Sequence, residues 1–138
     1  MASLIYNSFV DDMARGAIDL DTDTFKVLLV SSAYSPNKDT DLKRSAVTNE
    51  VSGTGYTAGG VTSACTVTKD TANDRVTLSF AAVNWASSTI TARAAVIYKS
   101  RGGLASADEL VCYVDFGADV SSSSATFSLG SSTITLAN

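Results

Sequence analysis

The chain has no histidine, a single proline, only two cysteines and no long apolar run. Each shortage closes off a class of function. Without histidine there is no imidazole base, the commonest metal ligand is missing, and no Ser–His or Cys–His pair can activate a nucleophile. The thiols Cys65 and Cys112 lie far apart, in different strand-like runs. With no secretory context, they read as small buried hydrophobes rather than as a disulfide. A membrane-spanning helix needs about 20 consecutive apolar residues, and no stretch approaches that. The start, Met1-Ala2-Ser3-Leu4, leads straight into mixed sequence with no signal-peptide pattern, so the expectation is an unprocessed protein made in the cytoplasm.

Charge is scarce as well. Only 17 % of residues are charged and the net charge is −4. Beyond Lys43-Arg44 there is no basic cluster, which argues against nucleic acid as a partner, because neutralising phosphates takes clustered bases. What the chain does have is apolar content, at 45 %. Spread over 138 residues, that suffices for one domain, 1–138, with a real core.

Apolar periodicity separates a short start from a long remainder. Over residues 4–15, Ile5, Phe9 and Met13 recur every fourth position beside Tyr6 and Val10. This predicts one short helix, with Gly16 as its C′ residue. From residue 18 onward the period is two. Phe25–Val30 is a strand candidate, and residues 46–51 form a weak strand or loop. Val61–Thr68 and Arg75–Phe80 alternate around a turn at Asp70–Asp74, the pattern of a hairpin. After a break at Asn84-Trp85, residues 89–98 and 109–116 alternate again, followed by short runs at 125–129 and 134–136. Ser121–Ser124 reads as a surface loop. Seven or eight strands with no helical crossover imply antiparallel pairing. The expected fold is all-β: an antiparallel, jelly-roll-like β-sandwich with one short N-terminal helix.

Motifs that could carry chemistry fall short. Asp19-Leu20-Asp21-Thr22-Asp23 has the spacing that opens a calcium loop, but the required Gly and Glu positions hold Thr24 and Val30. A structural turn is the reading. Gly53-Thr54-Gly55-Tyr56-Thr57-Ala58-Gly59 has the wrong glycine spacing for dinucleotide binding, lacks the P-loop Lys, and runs into a strand. The pairs Asp11-Asp12 and Asp108-Glu109 have no visible partner and read as solvated faces. No catalytic residue, metal ligand or cofactor follows, and an enzyme is not expected.

Three blocks carry a resemblance: Ile5-Tyr6-Asn7-Ser8-Phe9, Ile18–Val27 and Asn49–Gly60. In them the chain resembles small structural proteins of tailed bacteriophages; the second half shares the Ser/Thr-rich strand pattern and overall length. The resemblance implies a head cement, or decoration, protein. Such a protein would sit on the exterior of the capsid and bind the major capsid protein and copies of itself. A homodimer is the first expectation for the self-contact and a trimer the alternative. Neither nucleic acid nor membrane is an expected partner. The expected contacts are the N-terminal segment with Tyr6 and Phe9 and the loops around Tyr34 and Tyr56, since aromatics at loop edges often anchor interfaces. An alternative is a tail, neck or head-appendage protein, with Tyr34, Tyr56 and Trp85 stacking on sugars. A third is a small hydrolase using carboxylates among Asp11, Asp12, Asp21 and Asp23.

Overall fold

The computed structural model describes residues 2–138. They hold one helix, α1 (Asn7–Ala14), and eight strands: β1 (Leu4–Ile5), β2 (Phe25–Val30), β3 (Val61–Thr62), β4 (Cys65–Asp70), β5 (Arg75–Phe80), β6 (Val83–Lys99), β7 (Leu110–Leu129) and β8 (Ser132–Ala137). The strands form two antiparallel sheets, one of five in the order β1-β7-β6-β2-β3 and one of three in the order β4-β5-β8. This is the all-β sandwich with one short helix that the period-two pattern predicted.

Between the sheets lies the main core. Val27, Leu29, Ala95, Ile97, Val111 and Trp85 from the five-stranded sheet pack with Leu78, Phe80 and Ile134 from the three-stranded sheet. The small sheet buries one face only, so β5 and β8 alternate between apolar and polar, while in β4 the alternation ends at Lys69, opposite Val76. β2 differs. Val27 and Leu29 face the main core, while Leu28 and Val30 enter a second cluster on the far side with Tyr6, Tyr34, Val96, Tyr98 and Tyr113. Burial on both faces explains why β2 is a continuous apolar run rather than an alternating one.

Several boundaries move from the sequence-based expectation. Helix α1 begins at Asn7, because Leu4 and Ile5 pair with Tyr113 and Cys112 of β7 as a short edge strand. Of the expected helix face, Phe9 is buried and Met13 partly so, whereas Val10 is exposed. Gly16 does occupy the C′ position, where its N–H bonds the Met13 carbonyl. The hairpin between β4 and β5 forms around Thr71–Asp74 as expected, but the expected arm Val61–Thr68 divides: Val61–Thr62 pairs with β2 in the other sheet, and β4 begins only at Cys65.

The largest revision concerns β6 and β7, which run 17 and 20 residues as one long hairpin. β6 absorbs the expected break at Asn84-Trp85. β7 absorbs Ser121–Ser124, which are strand and not loop. Hydroxyls cross-link the pair there: Thr91 Oγ1 lies 2.7 Å from Ser121 Oγ, and Ser88 Oγ lies 2.8 Å from Ser122 Oγ. A Ser run carries no apolar alternation to mark it as strand; its partner supplies the pairing. Register shifts between Trp85 and Ser88 and between Ala92 and Ala94 bend the hairpin.

Candidate interaction surface

The aromatic residues expected as contacts lie inside the protein. Tyr6, Phe9 and Tyr34 are buried. The Tyr6 hydroxyl meets that of Tyr34 at 2.9 Å, and the Tyr34 hydroxyl donates to Asp41 Oδ2 at 2.9 Å. Burial pushes both phenols well above their ordinary range. Tyr56 stacks on Trp85, and Trp85 meets Phe127 edge-on. Trp85 is buried, with no hydrogen-bond partner for its indole N–H. Tyr6, Phe9, Tyr34 and Trp85, expected as interface anchors or sugar platforms, are core residues, while Tyr56 is half-buried and packs against the core. Tyr34 and Tyr56 sit in segments that look loop-like in sequence, but those segments pack on the strands: Tyr34 joins the buried cluster with Tyr6 and Tyr113, and Tyr56 packs against the main core.

Tyr56 also fastens the glycine-rich loop. Its hydroxyl accepts from the Leu29 N–H at 3.0 Å and donates to Glu50 Oε1 at 2.7 Å, an oxygen that also accepts from the Gly59 N–H at 2.6 Å. The loop presses so closely on the strands that side chains are excluded. A Cβ on Gly60 would lie 1.8 Å from the Val27 carbonyl oxygen, and one on Gly53 would lie 2.4 Å from that of Thr89. Both glycines also have positive φ, +77° and +150°. The loop is a strap, and its N–H groups at Tyr56, Gly59 and Gly60 are taken up by the Gly53 carbonyl, Glu50 and the Thr57 carbonyl.

Charge is internalised too. Asp108 and Glu109, expected on a solvated face, are each 1 % exposed. Arg44 Nε bonds Asp108 Oδ2 at 2.8 Å, and the Arg101 backbone N–H bonds Asp108 Oδ1 at 2.9 Å. Arg101 and Lys43 converge on the Glu109 carboxylate. Burial alone would raise the Glu109 pKa, but the Arg101 hydrogen bonds and the Lys43 charge outweigh it and hold it below the ordinary range. Arg44 lies 5.0 Å above the Tyr98 ring, close enough for a cation–π contact. Pairing across 64 to 66 residues of chain leaves no local spacing signal. The one visible hint is that Lys43-Arg44 is the only adjacent basic pair in a charge-poor sequence.

The remaining motifs behave as turns and packing groups. Asp23 Oδ2 accepts from the Asp19 N–H at 2.7 Å and pairs with Lys99 Nζ at 2.8 Å; Asp19 Oδ1 accepts from the Asp21 N–H. Asp11 pairs with Arg15 on the surface. Among the described residues, no group of three or more His, Cys, Asp or Glu side chains is placed to hold a metal ion. Both thiols are free, and burial pushes Cys65 to about 11 and Cys112 to about 12.

The outer face of the three-stranded sheet carries rows of uncharged hydroxyl side chains. The register of the small sheet aligns Thr66, Ser79 and Thr133 in one outward row and Thr68, Thr77 and Thr135 in the next. Its inward neighbours Leu78 and Ile134 are buried. These rows follow directly from the T-x-T spacing of the sequence. Among the described residues β4 and β8 each pair only with β5, so both margins of this sheet are open there. No helix among the described residues is long and apolar enough to cross a membrane. No family model matches the chain, and neither a curated protein nor a solved structure matches it.

Proposed function

We propose that this chain is a bacteriophage capsid cement protein, which binds the outer surface of the major capsid protein shell and stabilises the mature head. The observation that carries the proposal is where the polar chemistry goes. The acids Asp108, Glu109, Glu50 and Asp23 all bind groups of the fold itself. So do the hydroxyls of Tyr6, Tyr34 and Tyr56. The strapped loops and paired charges tie the fold into one body whose outer sheet face carries rows of Ser and Thr beside open margins. That design suits a part that grips another protein and is poor for turning over a substrate. The resemblance of residues 5–9, 18–27 and 49–60 to phage structural proteins supplies the setting.

The physical role follows from linkage. A protein that binds the assembled, expanded shell more tightly than its dissociated subunits shifts the equilibrium toward the shell. Rigidity helps, because little ordering entropy is lost on docking. The test is to mix the purified chain with expanded, undecorated capsids of its phage. Co-sedimentation at saturating, regular stoichiometry and a higher capsid melting temperature are expected. Failure to sediment with the shell would reject the proposal. A stained gel of purified virions then separates head from tail, as hundreds of copies per particle fit cement and a dozen or fewer fit a tail or neck part.

A further inference from the structure

We propose that β8 is a self-association edge, through which two copies of this chain join antiparallel and turn two three-stranded sheets into one of six strands. An open strand edge is a template for another chain, and proteins normally blunt such edges by shortness, charge, proline or bulges. The other margins here are blunted. β1 and β3 are two residues each. β4 carries Lys69 and Asp70. Beyond β1, the outer margin of β7 carries Asp115 and Asp119 and is interrupted by positive φ at Gly117 and Ser124. β8 has none of these devices. It is six residues long, without charge or proline, and stays in unbroken register with β5 from Ser132 to Ala137.

Three observations point to a second copy as the occupant. First, an antiparallel strand paired with its own copy is two-fold symmetric, so the groups one edge offers are those the other needs. Second, the chain has a net charge of −4, and two copies repel wherever charged surfaces meet. From Val120 to Asn138 no side chain is ionisable, so pairing through β8 sets no like charges opposite one another.

The third is the space beside the edge. A groove of about 410 Å³ runs between β8 and the β1 margin, walled by Leu4, Ile5, Val114, Thr133 and Ile134. Alternate side chains of an added strand project to the same side as Ile134, toward the five-stranded sheet. The groove lies on that side, so it faces Leu136 of the copy, while Ile134 of each molecule stays packed in its own core. Ile5 and Leu136, 40 % and 38 % exposed in the single chain, are then covered. On the outer face, the rows that end at Thr133 and Thr135 continue into the second molecule.

This pairing does not depend on shell binding, and its test contains the purified full chain alone. Light scattering coupled to size exclusion, over a series of protein concentrations, should give twice the mass of one chain for the natural sequence. The variant T133K/T135K puts four ammonium groups along the joint on solvent-exposed positions. It should halve the mass while keeping the melting temperature and near-ultraviolet dichroism of a folded monomer. T66K/T68K, the matching change on the β4 margin, should leave the dimer intact. Amide hydrogen exchange is a readout without any substitution: the alternate outward N–H groups of Ser132–Ala137 should gain protection as concentration rises. A natural chain that stays monomeric overturns the proposal, and this is also the result if the edge serves a foreign strand. So does a T133K/T135K protein that dimerises as tightly as the natural one, or a β8 whose exchange ignores concentration.

Discussion

Arg101 grips Glu109 with two donors, Nε at 2.6 Å from Oε1 and Nη2 at 3.1 Å from Oε2. Such fork-to-carboxylate pairs are among the stronger charge-assisted hydrogen bonds. Glu109 opens β7's approach from the 100–109 loop, and its backbone carbonyl accepts from the Lys99 N–H that closes β6. Lys99 in turn reaches the Ala17 carbonyl and Asp23. The pair thus ties the closed end of the long hairpin to the segment that follows α1.

Removing the cation should be costly because the anion stays behind. Breaking a fully buried pair costs about 3–5 kcal/mol. Arg101 is 43 % exposed and Lys43 remains nearby, so R101A should lower the urea midpoint clearly, though by less than loss of a fully buried pair would. R15A, which removes an exposed surface pair with Asp11, should lose under about 1 kcal/mol. Equal losses for the two variants would contradict the buried role of Glu109.

Acid should unfold the protein through the same groups. Glu109 and Asp23 both have folded pKa values below their ordinary ones. In each, burial acts upward and is outweighed, by Arg101 and Lys43 for Glu109 and by Lys99 and the Asp19 N–H for Asp23. A depressed carboxyl pKa contributes stability that is present above the unfolded value and is lost as pH falls through the folded one. Melting temperature should therefore be level near neutrality and fall steeply below about pH 4. Asp12, whose pKa burial raises, acts in the opposite sense. The slope below pH 4 should be shallower in E109Q than in the natural chain.

Strapping of the glycine loop is testable at one atom. G60A places a Cβ against the Val27 carbonyl and forces a left-handed φ on alanine. Loss of more than about 3 kcal/mol, or no soluble protein, is expected. G103A has nothing within 4 Å of the new Cβ and should melt within a few degrees of the natural chain.

Tyr56 should matter to stability rather than to recognition. Y56F leaves the Leu29 N–H without its acceptor and removes one donor from Glu50. A cost of about 1–3 kcal/mol is expected for stranding a buried donor. Capsid co-sedimentation by the folded fraction should be unchanged. A variant that melts like the natural chain yet fails to sediment would return Tyr56 to the interface.

The thiols should be silent until unfolding. Thiolate is the reactive form, and Cys112 and Cys65 are pushed to about 12 and about 11. At pH 8 an alkylating reagent should label the folded chain slowly, and both sites promptly in denaturant.

Period-two alternation in Arg75–Phe80 and in Ile134-Thr135-Leu136 was enough to place β5 and β8 and to set Thr77 and Thr133 outward, whereas the equally regular run Val61–Thr68 is divided between the two sheets. A sheet buried on one face writes its orientation into every second residue. The absence of histidine and the failed Asp and Gly spacings were equally plain, since they depend on residue identity alone. Long-range pairing has no such signature. Asp108 and Glu109 look like surface acids until Arg44 and Lys43, more than sixty residues away, fold against them. Tyr34 and Tyr56 look like loop aromatics until their segments pack on the strands and draw the rings in. Ser121–Ser124 become strand only because β6 supplies hydroxyls and register. The open edge of β8 likewise emerges only when β5 is seen to occupy one side of it and nothing the other, because edge status belongs to the sheet and not to the strand.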